Sequence, residues 1–405
     1  MRTRAEIKRR VYRRAIAVLA LITIITAASS QMKADTGTCS GQSITLPFTD
    51  VASGNIFFCS IAEAFLMGLT NGTDATHYSP SANVPREQMA AFITRTLDAS
   101  LHRGSRRAAL GQFWNTQADG LQGITTVGDT PISVKSDGFN LWVANHNSDT
   151  VMRVSAANND VTGTWTGVTS LPNDLVIAMS KAWVITEDGH LYRVDPNVAP
   201  GAAVLITSGL GTVCEAIAFD GARLWVTSKG SGSVSAIRIS PLQVQTFTTD
   251  LIQPGGVLYD GANIWVTDLG DDSLKKLNSD GSVAFSVALP NTPGNPKHPV
   301  FDGTNIWVPT QNSKLYVVRR DGTLLATLAG NGLSQPFRVA FDGERILASS
   351  IVVASPTLSL WHATDFAPLG SVAVSNPAHG VCSDGISFWF TQDLGSSTPG
   401  KIVRF

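Results

Sequence analysis

The stretch Tyr259-Asp-Gly-Ala-Asn-Ile-Trp265-Val decides the fold, because copies of it recur throughout the second half of the chain. Each full copy places Asp-Gly five and four residues before a Trp, and two degenerate copies lack either the Asp-Gly or the Trp. The Trp-equivalent positions are Trp142, Trp183, Trp225, Trp265, Trp307, Leu347 and Trp389. The steps between them are 41, 42, 40, 42, 40 and 42 residues. Seven copies at this period predict a mainly β fold, a seven-bladed β-propeller with four strands per blade.

The copy around Trp265 shows how one blade is built. Apolar residues 256–259 and 264–267 flank Asp260-Gly261, a strong hairpin signal, and so predict the first two strands. Residues 273–278 and 282–288 follow as the third and fourth strands. The bulky Trp is expected to fill the gap between adjacent twisted sheets, where a large flat side chain buries much apolar area.

The two ends of the repeat array predict how the ring closes. The final residues, 401–405, fall where a third strand belongs, so the last blade lacks a fourth strand from its own copy. Residues 121–128 stand before the first blade at the offset of a fourth strand. We therefore expect 121–405 to form the propeller, with 121–128 completing the last blade and removing an exposed edge.

Residues 1–30 have the layout of a secretory signal peptide, in which a basic segment precedes a short apolar run and small residues. An uncleaved N-terminal anchor is the alternative. These residues hold seven of the 30 basic and one of the 31 acidic residues, which leaves 23 basic and 30 acidic residues and a net charge of −7. That balance argues against a nucleic-acid partner. We expect a secreted or cell-envelope protein with no membrane span after signal cleavage.

Residues 39–104 lack the repeat and predict a small helical domain, followed by a linker over 105–120. Residues 56–67 are apolar at helical spacing, and Pro85 suits the first position of a second helix. Cys39 and Cys59 are close in sequence, and both lie in this domain. We expect these two to form a disulfide, and the other two cysteines, Cys214 and Cys382, to be buried thiols.

The small domain resembles the S-layer homology module over roughly residues 46–97. The matching segments are Phe48-Thr-Asp50-Val51, Gly68-Leu-Thr-Asn71-Gly72, Tyr78-Ser-Pro80 and Val84-Pro-Arg86-Glu87-Gln-Met-Ala90. The resemblance implies binding to cell-wall polysaccharide, with Arg86 contributing to glycan recognition. This chain departs from the family in having one copy, where three are common, and Pro85 in place of the usual Thr. A module kept for dimerisation or for packing on the propeller is the alternative.

Residues 121–405 resemble the propellers that contain surface-layer YVTN repeats, NHL-type repeats and streptogramin B lyase. The resemblance implies the fold, while the activity stays open because this scaffold hosts binders, lactonases and lyases. The sequence contains no Gly-x-Ser-x-Gly elbow, no His-Glu-x-x-His pair and no phosphate-binding Gly-Lys-Ser/Thr loop.

A candidate site follows from the repeat, because the first residues of the inner strands should line one mouth of the central channel. Ten and nine positions before each Trp equivalent stand Ile132/Ser133, Asn173/Asp174, Glu215/Ala216, Gly255/Gly256, Lys297/His298, Phe337/Arg338 and His379/Gly380. One interpretation is a divalent metal, Ca²⁺ or Mg²⁺, or an acid/base pair held by Glu215, His298 and His379. Lys297 or Arg338 would then bind an anionic substrate. The other interpretation is a rim that is polar only because it is hydrated.

Two functions therefore compete. The first is a secreted or envelope-attached bacterial binding protein whose propeller face recognises a glycan or a protein. The second is a secreted metal-dependent lyase or lactonase with its site at the propeller channel.

Overall fold

The computed structural model describes residues 35–39, 42–66, 69–93, 123–290, 293–395 and 397–405. The predicted signal peptide, 1–30, and the predicted linker, 105–120, lie outside these residues. The chain divides into two compact units, an N-terminal unit and the propeller. No helix within the described ranges is long and apolar enough to cross a membrane.

The N-terminal unit combines a hairpin with helices. Strands β1 (Thr36–Cys39) and β2 (Gln42–Thr45) pair antiparallel, and helix α1 spans Phe58–Leu66. Residues 86–93 are also helical, directly after Pro85. The predicted disulfide is confirmed: Cys39 at the end of β1 is bonded to Cys59 in α1.

Aromatic packing and one carboxylate organise the core of this unit. The buried Phe48 ring lies 5.0 Å from the Phe65 ring and 5.4 Å from the Tyr78 ring, measured between centroids. The Asp50 carboxylate accepts hydrogen bonds from the backbone amides of Tyr78 and Ser79, at 2.9 and 2.7 Å. The segment around Phe48 and Asp50 thereby holds the later loop in place.

The propeller prediction is confirmed, since seven four-stranded antiparallel sheets follow one another. We number the blades 1 to 7 in chain order and name their strands from the innermost outwards. Blade 1 contains β4 (Pro131–Ser136), β5 (Asn140–Asn145), β6 (Thr150–Ser155) and β7 (Val161–Trp165). Blade 2 contains β8 (Pro172–Ala178), β9 (Lys181–Thr186), β10 (Leu191–Val194) and β11 (Val204–Thr207). Blade 3 contains β12 (Cys214–Phe219), β13 (Leu224–Ser228), β14 (Ser233–Ile239) and β15 (Leu242–Phe247).

The next three blades have the same order of strands. Blade 4 contains β16 (Pro254–Tyr259), β17 (Ile264–Asp268), β18 (Ser273–Leu277) and β19 (Val283–Ala288). Blade 5 contains β20 (Val300–Phe301), β21 (Asn305–Thr310), β22 (Lys314–Arg319) and β23 (Leu324–Leu328). Blade 6 contains β24 (Pro336–Phe341), β25 (Arg345–Ser350), β26 (Thr357–His362) and β27 (Pro368–Ala373).

Blade 7 is built from both ends of the propeller. Its strands are β28 (Ala378–Ser383), β29 (Phe388–Gln392), β30 (Pro399–Arg404) and, outermost, β3 (Ile124–Asp129). Strand β3 runs antiparallel to β30, with Thr125 opposite Ile402. The segment proposed from sequence to close the ring, 121–128, thus overlaps this outer strand over residues 124–128.

Each repeated Trp is fully buried and packs against the following blade. Trp142, for example, lies in one apolar cluster with Leu175 and Val184 of blade 2. The five Trp residues with an Asp-Gly also donate the indole Nε1–H to that Asp, at 2.6–2.9 Å. The same carboxylates accept backbone amides within the turn, as Asp302 does from Thr304 and Asn305. The Asp of the repeat is therefore both a turn former and the partner of the core Trp.

Blades 2 and 6 lack the hydrogen bond between the repeated Asp and Trp and have other contacts in its place. Trp183 has no Asp five residues earlier and donates its indole N–H to the backbone carbonyl of Ala178 at 2.9 Å. Blade 6 has Leu347 in place of Trp, and its Asp342 carboxylate accepts a hydrogen bond from Arg345 Nε at 3.0 Å.

Candidate binding site at the channel mouth

The inner strands begin irregularly, which directs several side chains to the channel mouth. In six of the seven inner strands the pairing with the next strand shifts within the first residues, as between Pro172 and Asp174. Such a bulge locally re-aims side chains and often accompanies functional sites. In these six blades the positions ten and nine residues before the Trp equivalent lie in or beside this irregular part of the strand, and in blade 5 Lys297 and His298 precede the short strand β20.

Neighbouring blades approach one another closely at this level. A Cβ atom added to Gly256 would lie 2.7 Å from the carbonyl oxygen of Lys297, and one added to Gly380 would lie 2.9 Å from the amide nitrogen of Val134. Glycine is required at both places because another backbone occupies the space. These positions in blades 4 and 7 therefore contribute no side chain to the mouth.

Side chains of one blade also hold the inner strand of the next by hydrogen bonds. Thr267 Oγ1 donates to the carbonyl of Lys297 at 3.0 Å, and Ser349 Oγ donates to the carbonyl of His379 at 3.1 Å. Asn173 Nδ2 donates to the carbonyl of Cys214 at 2.7 Å. These links run from blade 4 to 5, from blade 6 to 7 and from blade 2 to 3, and they give the mouth a fixed geometry.

Asp174 and Arg338 form an ion pair across the channel, between blades 2 and 6. Asp174 is only 2% exposed, and its Oδ1 accepts from Arg338 Nη1 at 2.9 Å and from Ser133 Oγ at 2.6 Å. Its Oδ2 accepts the backbone amide of Ile217 at 3.2 Å. Burial is the largest single influence and acts to raise the pKa of Asp174, but the Arg338 guanidinium, the other nearby cations and the Ser133 hydrogen bond together outweigh it, and the pKa lies below its usual value. One carboxylate thus joins blades 1, 2, 3 and 6.

Glu215 and Lys297, two further predicted site residues, differ in how they are paired. Glu215 accepts a hydrogen bond from Lys229 Nζ at 3.4 Å. Lys297 is 9% exposed, and within the described part of the chain its ammonium has neither a hydrogen bond nor an ion pair. Lys297 Nζ lies 5.7 Å from the centroid of the Phe337 ring. Burial lowers the pKa of Lys297, and the more distant Glu215 carboxylate only partly opposes this.

The two predicted histidines, one in blade 5 and one in blade 7, both contact Phe337 of blade 6. The His298 ring meets the Phe337 ring edge to face at 5.1 Å, and the His379 ring does so at 5.8 Å. Burial, together with the nearby Arg338 cation, lowers the pKa of His298 well below its usual value. Burial also lowers the pKa of His379 against the opposing effect of Asp393. Both imidazoles are consequently biased towards the neutral form.

The predicted metal site is not assembled. Among the residues that the structure describes, no group of three or more His, Cys, Asp or Glu side chains is placed to share a metal ion. Of the predicted ligands, Glu215 is hydrogen-bonded to Lys229, while His298 and His379 each pack on the apolar Phe337 ring. The donor set of Glu215, His298 and His379 therefore does not fit a shared Ca²⁺ or Mg²⁺, which prefer several converging oxygen ligands.

The sequence interpretation missed a second set of residues at the mouth. These stand four positions after the Trp equivalents, and the charged or ionisable ones are His146, Glu187, Lys229 and Asp393. His146 Nε2 lies 3.9 Å from Glu187 Oε1, and His379 Nε2 lies 3.9 Å from Asp393 Oδ2. Counting forwards as well as backwards from each Trp would have found them.

This second set makes the mouth asymmetric. The residues at the same position in blades 4, 5 and 6 are uncharged: Leu269, Gln311 and Ile351. The charged and ionisable residues belong instead to blades 1, 2, 3 and 7. Lys297 of blade 5 thus stands as a cation in the less polar sector, next to Phe337.

Comparisons with known proteins identify the fold. The chain is similar to a solved structure of streptogramin B lyase, with 12% identity and a TM-score of 0.56 over 70% of this chain and 96% of that one. It is equally similar to a catalytically inactive variant of virginiamycin B lyase from Staphylococcus aureus with quinupristin, with 12% identity and a TM-score of 0.56 over 72% and 97% of the two chains. No family model and no curated protein matches the chain. The likeness to the two lyases establishes a shared propeller fold.

Proposed function

We propose that this protein is an exported binding protein whose propeller recognises a glycan at the channel mouth. The observation that carries the proposal is that four of the charged side chains there are paired with one another. Asp174 is paired with Arg338, and Glu215 is paired with Lys229. What these pairs leave is a rigid ring of hydrogen-bonding groups around one aromatic side chain, Phe337, which is the composition of a recognition site.

A glycan suits this mouth better than a protein does. The side chains at the mouth include amides, as in Asn173 and Gln311, imidazoles, as in His146, and charged groups. Hydrogen bonds to the backbone hold Asn173 and His146 in place. Sugar hydroxyls both donate and accept hydrogen bonds, so they match such a mixed array. A protein ligand on the propeller face is the alternative that the experiment below distinguishes.

An array of immobilised glycans probed with the purified full chain tests this proposal. Wild-type protein should bind a defined set of glycans, and Phe337→Ala should weaken that binding at least about tenfold, because a stacked aromatic contact is lost. Phe139→Ala is the matched control, since Phe139 is 82% exposed and lies in the turn between β4 and β5. Binding only to displayed peptides, or glycan binding that Phe337→Ala leaves unchanged, would overturn the proposal.

Attachment to the cell envelope is part of the proposal. The leader-like residues 1–30 and the S-layer-like segment around Arg86 support it, and the Cys39–Cys59 disulfide suits an oxidising compartment outside the cytosol. The Arg86 side chain is exposed and so is free to meet a polysaccharide.

Co-sedimentation with purified bacterial cell wall tests the attachment. The wild-type chain should sediment with the wall, and Arg86→Ala should stay largely in the supernatant. Arg238→Ala, which removes an exposed arginine of the propeller, should behave as wild type. A role for Arg86 would be contradicted if all three proteins sediment equally with the wall, or if none of them sediments.

A lyase-like activity is the second candidate, favoured by the shared fold and by two imidazoles beside one aromatic ring. Since the pKa values of His298 and His379 are lowered, both rings are biased towards the neutral form that a general base requires. Incubation with quinupristin, followed by mass spectrometry, tests it. Conversion by the wild type but not by His379→Ala would favour the lyase, and intact quinupristin would leave the binding proposal in place.

A further inference from the structure

We infer that the glycan recognised at the channel mouth is acidic, and that Lys297 binds its carboxylate. This inference rests on the proposed function and names the ligand class of that site. Sequence reasoning offered Lys297 and Arg338 equally as anion-binding residues. The structure separates them, because the Arg338 guanidinium is already bonded to Asp174 at 2.9 Å.

Lys297 is the buried cation at the mouth that lacks an anionic partner within the described residues. Its side chain is 9% exposed, and its ammonium lies over the Phe337 ring. Lys229, by contrast, is bonded to Glu215. Burial of most of the side chain desolvates the ammonium in part, and a bound anion would offset that cost.

The surroundings of Lys297 favour an anion with a single charge. The Asp174–Arg338 and Glu215–Lys229 pairs each have no net charge, whereas the ammonium of Lys297 has no ion-pair partner among the described residues. The Glu215 carboxylate is near enough to Lys297 to act on its pKa. It would therefore repel a doubly charged phosphate more strongly than it would repel a sugar carboxylate.

The direction of the Lys297 pKa agrees with this assignment. Burial lowers that pKa, which means that the protein alone does not fully stabilise the ammonium. A bound carboxylate would supply the missing stabilisation and raise the pKa. The acidic sugar should accordingly bind less well as the solution is made alkaline, because Lys297 loses its proton.

The test compares methyl β-D-glucuronide with methyl β-D-glucoside, which differ at the carboxylate, in ligand-observed NMR titrations of the full chain. Wild type should bind the glucuronide about tenfold more tightly, since the carboxylate adds a charge-assisted hydrogen bond to Lys297. Lys297→Met should lose this preference, and Lys314→Met in the same blade should retain it. Glu215→Gln should increase affinity for the glucuronide, because a competing negative charge is removed.

The outcomes separate this inference from the proposed function. Equal binding of the two sugars by wild type, while glycans on the array still require Phe337, would overturn the acidic ligand and leave glycan recognition standing. Tighter binding of inorganic phosphate or N-acetyl-alanine than of the glucuronide would overturn the sugar carboxylate as the ligand. If the Lys297→Met variant has the melting temperature of the wild type and still prefers the glucuronide to the glucoside, the role of Lys297 is overturned.

Discussion

Blades 2 and 6 differ from the other five, and the difference separates the outer packing of the propeller from its channel. In the five regular blades an Asp accepts the indole N–H of the core Trp. Blade 2 uses a backbone carbonyl for Trp183, and blade 6 has Leu347 instead of Trp. These two blades are also the ones that supply Asp174 and Arg338, which meet across the channel.

The comparison teaches that two kinds of interaction hold this ring together. Between blades, the same apolar contact is repeated around the circle, so one irregular copy changes little else. Across the channel, individual residues from non-adjacent blades meet once, and the buried charge of each depends on the other. The loss of a channel residue should therefore cost more than the loss of a repeat residue.

The largest effect is expected from Arg338→Met. Removing the guanidinium leaves the Asp174 carboxylate buried and unpaired, which should lower the free energy of unfolding by about 3–5 kcal/mol. Urea titration followed by tryptophan fluorescence measures this. The exposed Arg238→Met serves as the control and should change stability by less than about 0.5 kcal/mol.

A double variant distinguishes an unpaired charge from simple loss of packing. Asp174→Asn combined with Arg338→Met removes both charges, so it should be at least about 1 kcal/mol more stable than Arg338→Met alone. If the two variants are equally unstable, the cost arises from packing and the pair contributes no electrostatic coupling.

A smaller effect is expected for the repeated Trp, and it should differ between the two kinds of blade. Trp307→Phe removes the indole N–H that Asp302 accepts at 2.6 Å, as well as buried volume, and should cost about 2–3 kcal/mol. Trp183→Phe removes a hydrogen bond to a neutral carbonyl, so it should cost about 1 kcal/mol less. Equal losses in urea titrations would show that the Asp partner adds nothing to the Trp.

The fold could be predicted because its signals are local and repeated. Steps of 40–42 residues between Trp equivalents, with Asp-Gly turns at a constant offset in most copies, imply blades of the same architecture whatever their individual contacts. The Asp–Trp hydrogen bond was available in the same pattern, since the two residues stand five positions apart. It was missed because Asp-Gly alone already explained the Asp as a turn residue.

The site could be predicted only as a set of positions. The repeat predicted Asp174, Lys297 and Arg338 at one level of the channel. Counting four residues forwards from each Trp equivalent would have added Glu187 and Asp393. Which of them pair is decided by distances across the ring, between residues as far apart in sequence as Asp174 and Arg338. No local pattern contains that information, so the sequence could not tell whether Glu215, His298 and His379 converge on one ion.

The smallest effect, and the one that separates the two regions most sharply, is the pH dependence of stability. Because burial first and Arg338 second lower the pKa of His298, the unfolded chain takes up a proton there that the folded protein does not. Stability should therefore fall as the pH drops below about 6.5, with a slope of up to about 1.4 kcal/mol per pH unit for this group. His298→Gln should flatten the slope of the free energy of unfolding between pH 6.5 and 5, measured by urea titrations at each pH.

The carboxylates of the outer turns, such as Asp137, have lowered pKa values despite their burial, so their contribution to stability is present above about pH 4 and is lost only in more acidic solution. Trp183→Phe, which removes no titratable group, should keep the wild-type slope, and a slope that His298→Gln leaves unchanged would show that His298 does not contribute to it in this range.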